Sequence, residues 1–102
     1  MPRHRPPRDV WAAIRRKIYK RDGGLCQYPF GKHLVGFEEA HIDHIRSGKL
    51  GTNSFKNLRT LCRRHHVLRA DVRHRGMISR ALKDGVIPTN WRELVWDERW
   101  TK

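Results

Sequence analysis

Apolar positions along the chain change their spacing from one segment to the next. In DVWAAIRRKIYKRDGG, Trp11, Ile14 and Ile18 recur at intervals of three and four, the rhythm of one helical face. The segment predicts a helix that Asp9 caps and Gly23-Gly24 ends. Its other face is basic, with Arg15, Arg16, Lys20 and Arg21. In LCQYPFGKHLVGFEEAHIDHI, Pro29, Gly31 and Gly36 break any helix, and the flanking residues suit strands, so two short strands around a loop are predicted. Residues 46–56, RSGKLGTNSFK, have the composition of a loop.

From Asn57 to about Arg75 the spacing predicts a second helix. Leu58, Leu61, His65, Leu68 and Val72 form its stripe for burial. The neighbouring stripe, Arg59, Cys62, His66, Arg69 and Arg73, is a basic face suited to phosphate. Gly76 interrupts the pattern, and a short helix then ends at Gly85. Asn90 followed by Glu93 has the form of a capping box, which predicts a last helix from Trp91. Core packing is the usual fate of tryptophans such as Trp91, Trp96 and Trp100, with base stacking or a partner surface as alternatives.

Length and charge narrow the function. At 102 residues there is room for one domain, residues 1–102, with a modest core, near the size at which metal often helps to hold a fold. Lys and Arg number 23 against 10 Asp and Glu, a formal net charge of +13. That excess draws polyanions, with nucleic acid the leading partner and a merely solvated or anionic-membrane surface the plainer reading. No apolar run approaches the roughly 20 residues of a membrane span, and MPRHRPPRD lacks the apolar centre of an export signal, so a cytoplasmic protein is expected. Residues 1–8 form a basic arm containing prolines. In a reducing compartment Cys26 and Cys62 are expected to bind metal or to be buried, not to pair.

The densest chemistry lies in EEAHIDHIRSGKLGTNSFKNLRTLCRRHH, which holds four of the seven histidines, one aspartate and one cysteine. Asp43-His44, then Asn57, then His66 nine residues later resemble the motif of the HNH endonuclease family, and Arg69 falls where that family usually has a basic residue. The resemblance covers roughly residues 20–70. It implies an α+β fold with a small ββα-metal (HNH, or His-Me finger) core; the N- and C-terminal helices read from the pattern flank that core, and the resemblance leaves the C-terminal helical extension, residues 77–102, unexplained. It also implies a phosphodiester hydrolase acting on DNA, RNA not excluded, that leaves 5′-phosphate and 3′-hydroxyl ends. In this reading His44 is the general base and Asn57 orients it through the backbone. Asp43 and His66 hold Mg²⁺ or another divalent ion such as Mn²⁺, Ni²⁺ or Zn²⁺. Arg15, Arg16, Arg59, Arg69 and Arg73 face the DNA backbone.

The residue types suit that chemistry on physical grounds. Hydrolysis of a phosphodiester needs a water deprotonated near neutral pH, a cation on the phosphate and help for the leaving oxygen. A histidine with a pKa of about 6.5 has a usable neutral fraction. One carboxylate and one imidazole leave an ion several positions for water and phosphate. Strand alternation, however, puts His41 with Asp43 and Ile42 with His44 on opposite faces. A shifted register would make His41 the base or a further ligand.

Many members of the family carry two Cys-x-x-Cys pairs for a structural zinc. Here the corresponding pairs are Cys26 with Pro29 and Cys62 with His65. With His33 they offer a Cys2His2 set, Cys26, His33, Cys62 and His65, the alternative being two buried cysteines without metal. A non-enzymatic, zinc-stabilised nucleic-acid-binding module is the competing function, and it has no use for His44.

Overall fold

The computed structural model describes residues 6–46, 52–70 and 75–97. The chain divides into two compact units, Met1–Cys62 and Arg63–Lys102. Its class is α+β, with helices and two small antiparallel sheets. Residues 1–5 of the basic arm, Val72 and Arg73 of the predicted second helix and Trp100 lie outside the described residues.

In the first unit, helix α1 (Arg8–Arg21) follows the predicted pattern, and Ile18 is fully buried. Its start differs from expectation. Pro7 occupies the cap position with ψ 153°, its carbonyl accepts from Trp11 N at 2.9 Å, and no side chain caps the helix. Asp9 falls in the first turn, where its charge complements the helix dipole instead. The helix stops because Gly23 and Gly24 adopt φ of 66° and 70°, which a side chain would resist. At Gly24 a Cβ would also come within 3.2 Å of the Tyr19 hydroxyl. That hydroxyl donates to Val35 O at 2.7 Å, tying α1 to the segment after β2.

The segment predicted to hold two strands holds three: β1 (Leu25–Cys26), β2 (His33–Leu34) and β3 (Ala40–His44). β1 pairs with β2 in antiparallel register, Leu25 opposite Leu34 and Cys26 opposite His33. β3 pairs with β4 (Leu58–Cys62), running from Ala40 opposite Cys62 to His44 opposite Leu58. Gln27 N donates to Thr60 O at 2.8 Å, and Thr60 N to Asp22 Oδ2 at 2.8 Å, so β4 is held from both sides.

β4 corrects the predicted long helix over 57–75. Leu58, Arg59, Thr60 and Leu61 are all buried, a strand covered on both faces, and the helix begins only at Arg63. The leucines at 58 and 61 satisfied a helical spacing by coincidence. Five backbone pairings with β3 outweigh that local preference. Asn57 accordingly starts no helix; it ends a one-turn 3₁₀ segment, Phe55–Asn57.

In the second unit, α2 (Arg63–Leu68) buries Val67 and Leu68, and α3 (Arg75–Lys83) buries Ala81. Gly76 lies inside α3 and does not interrupt it. Gly85, at φ 73°, ends α3 as expected. The predicted last helix is a single 3₁₀ turn, Trp91–Leu94. Asn90 reaches Glu93 side chain to side chain at 2.9 Å and caps no backbone group. Beyond it the chain extends so that Trp96 N donates to Leu68 O at 3.1 Å and Ala70 N to Trp96 O at 2.9 Å, a pairing that a continuing helix would forbid. Trp96, 2% exposed, is core as expected, whereas Trp91 is half-buried with Arg92 over its ring.

Candidate metal and nucleic-acid site

Within the first unit, the end of the β3–β4 hairpin gathers polar side chains that open loops could not hold alone. Asn57 does most of the holding. Its Oδ1 accepts from Arg46 N at 2.8 Å, and its Nδ2 donates to Arg46 O at 3.1 Å and Thr52 O at 2.8 Å. Ile45 N also donates to Asn57 O at 2.8 Å. A buried asparagine using both ends of its amide on backbone fixes where the two arms of the connection lie.

His44, the last residue of β3, is held by two residues that the sequence reading did not single out for it. Its Nε2 is 2.9 Å from Asn53 Oδ1. Its ring lies nearly parallel to that of Trp11, at an interplanar angle of 8° and 6.0 Å between centroids. With an amide oxygen facing Nε2, a neutral His44 carries its proton there and accepts through Nδ1. Nothing in the loop composition of residues 52–56 marked Asn53. Trp11 was legible only as part of a helical stripe.

Asp43 is buried, and Arg59, opposite it on β4, donates from Nε to Oδ2 at 2.8 Å. His41 is half-buried opposite Leu61, on the same face of β3 as Asp43 by strand alternation. His66 is half-buried on α2, in the second unit. There Trp96 Nε1 donates to His65 O at 2.7 Å, fixing the turn of α2 that carries both histidines.

A second cluster is built by register. The β1–β2 pairing sets Cys26 opposite His33, and Cys62 N donates to Cys26 Sγ at 3.3 Å. His65 follows Cys62 by three residues. The donor atoms of Cys26, His33, Cys62 and His65 all lie within 4.8 Å of one another. A tetrahedral ion with Zn–S of about 2.3 Å and Zn–N of about 2.0–2.1 Å needs donors about 3.3–3.8 Å apart, so small side-chain adjustments suffice. The four residues can hold a metal ion, and two sulfurs with two imidazoles favour zinc. Cys26 and Cys62 are not joined in a disulfide. A hydrogen bond with the Cys62 thiol, together with burial, pushes the Cys26 thiol far above the ordinary thiol range, so without an ion it keeps its proton.

The predicted phosphate-facing arginines are placed differently from one another. Arg16 is exposed on α1. Arg15 is half-buried, donates to Phe37 O and Ala40 O, and covers the Phe37 ring. Arg59 lies inside β4, and Arg69, 6% exposed, bridges to Trp96 after α2. Arg73 lies outside the described residues.

With this geometry in hand, comparison with known proteins gives the class. Residues 24–70 match the family model for HNH endonucleases. HNH domains point to nuclease or nucleic-acid-binding function. No curated protein and no solved structure matches the chain. Among the described residues no helix is long and apolar enough to cross a membrane.

Proposed function

We propose that the chain is a divalent-metal-dependent HNH endonuclease that hydrolyses phosphodiester bonds of DNA, with β3, β4 and α2 as its ββα-metal core. The observation that carries the proposal is the support of His44: one ring nitrogen on Asn53, the ring against Trp11, and the strand end pinned by Asn57. A surface histidine needs no such support, whereas a general base must present one nitrogen in one tautomer.

In this reading His44 Nδ1 takes a proton from water as the water oxygen attacks phosphorus. The P–O3′ bond breaks, leaving a 5′-phosphate and a 3′-hydroxyl once the 3′ oxygen is protonated. Asp43 and His66 would hold the catalytic ion, Mg²⁺ or a similar divalent metal, with His41 as the alternative ligand or base. The donor types suit such an ion: a hard carboxylate oxygen and an imidazole nitrogen. The ion supplies charge neutralisation at the phosphate and at the leaving oxygen. Asn57 orients the base through the backbone it pins. Zinc at Cys26, His33, Cys62 and His65 would be structural, joining β1, β2 and β4 to the start of α2. The exposed Arg16 and the general positive charge hold the DNA backbone, and Arg59 supports Asp43.

One observation favours a second reading, a zinc-stabilised module that binds nucleic acid without cutting it. The Asp43 carboxylate is already engaged by Arg59 inside the hairpin, a use that is structural by itself. A plasmid-nicking assay on purified protein, with and without added Mg²⁺ or Mn²⁺ and with His44→Ala beside the wild type, separates them. Metal-stimulated conversion of supercoiled DNA that His44→Ala loses supports the nuclease. Binding without cleavage supports the module.

A further inference from the structure

Phe55 is 44% exposed, yet the backbone that carries it is tied down by hydrogen bonds. Arg21 donates from its two terminal nitrogens to Phe55 O and Leu58 O, each at 2.7 Å, and so clamps both ends of the 3₁₀ turn. Asn57 N closes the turn on Ser54 O at 2.9 Å. Arg21 is itself braced by Asp22 at 2.9 Å, and Asp22 holds β4 through Thr60 N. The ring is therefore displayed on a rigid support, where a loose loop would let it fold back onto apolar surface.

Beside it lies a cavity of about 330 Å³ lined by Phe55, Lys56, Arg21 and Arg59 against a single carboxylate, Asp22. Arg21 and Arg59 are held in place by their bonds to carbonyls and by ion pairs with Asp22 and Asp43, which offset their charge, so Lys56 is the cation that the lining offers to a phosphate. Lys56 is exposed at the rim. An aromatic face, a flexible cation and a polar floor within a few residues match the parts of one nucleotide: base, phosphate and the space between. The volume is at the lower end of the range for small-ligand sites. Phe55 also lies two residues after Asn53, the partner of His44, so a strand lying across His44 has this cavity within reach.

We infer that this cavity seats one unpaired nucleotide, its base stacked on Phe55 and its phosphate on Lys56, so that the protein prefers single-stranded or locally opened nucleic acid at this point. The inference rests on the nucleic-acid reading above and deepens it by naming the state of the strand. It is tested by binding alone, in excess chelator, so cleavage plays no part. Labelled single-stranded DNA and a duplex of the same sequence are titrated by fluorescence anisotropy at several salt concentrations, with circular dichroism to verify folding of each variant. Phe55→Ala should weaken single-strand binding by roughly 5- to 150-fold, the range for loss of one stacked base, with the salt slope unchanged and duplex binding nearly intact. Phe55→Tyr should restore it, and Phe55→Leu, which keeps apolar bulk, should not. Lys56→Ala should flatten the single-strand salt slope by about 0.7. Wild-type single-strand affinity in both Phe55→Ala and Phe55→Leu, or equal losses on both DNAs, overturns the inference and leaves the nuclease reading standing. A wild-type protein that binds neither DNA removes the nucleic-acid reading and this inference together.

Discussion

Arg59 Nε stands 2.8 Å from Asp43 Oδ2 directly across the β3–β4 ladder, with the two side chains only 8% and 1% exposed. Cross-strand pairing and burial make this contact part of the hairpin's stability as well as of any ion site. Removing one partner leaves the other charge buried. Arg59→Ala should therefore cost about 3–5 kcal/mol in denaturant unfolding. An apolar double replacement, Asp43→Leu with Arg59→Met, should recover much of that loss. A cost near zero for Arg59→Ala would mean that Asp43 is satisfied by other groups.

His44→Ala should lower DNA cleavage by ~10² to 10⁴ while leaving the fold and DNA affinity nearly unchanged, because the ring acts on water and fills no core. Asn53→Ala should lower kcat by a smaller factor, on the order of 10 to 100, with KM unchanged, since it only orients the imidazole. Single-turnover cleavage of labelled DNA resolves both. Full activity in His44→Ala would transfer the base to His41 or end the enzyme reading.

If Asp43 and His66 hold the proposed catalytic ion, excess chelator should stop cleavage, and Mg²⁺ or Mn²⁺ should restore it. Asp43→Asn with His66→Ala should abolish metal activation and spare DNA binding, because the amide oxygen of Asn still accepts from Arg59. Cleavage undiminished in chelator would exclude the mechanism.

Elemental analysis of purified protein should find close to one zinc per chain. Cys62→Ser should lose it together with thermal stability, because binding energy is then folding energy, and His66→Ala should keep both. Zinc lost in His66→Ala and retained in Cys62→Ser would place the ion elsewhere.

The same cluster sets two opposite pH dependences. In the metal-free protein the Cys26 thiol is raised far above its ordinary range. Its contribution to stability is therefore complete below the unfolded thiol pKa of about 8.5 and is lost as pH rises beyond it. Zinc binding needs the thiolates, releases protons and weakens as pH falls. Melting curves of chelated protein above pH 8 and competitive zinc titrations between pH 5 and 8 measure the two trends. Metal-free stability that increases above pH 9 would contradict the first.

Much of this protein is written locally. The HNH segment was legible because Asp43-His44, Asn57 and His66 stand at fixed intervals along the chain. α1 was legible from its apolar spacing, and the ends of α1 and α3 from glycines that must adopt positive φ. The Cys2His2 set was legible as a list of donors, and the register of β1 on β2 brings two of them face to face. What the chain could not declare by itself was decided by pairing at a distance. Residues 58–62 carry a helical spacing and still form a strand, because β3 offers them five backbone partners. Asn53 and Trp11 come to His44 from different segments, and Arg59 turns inward because Asp43 is directly opposite. Local sequence sets which conformations a segment tolerates; only the folded chain supplies the partners that choose among them.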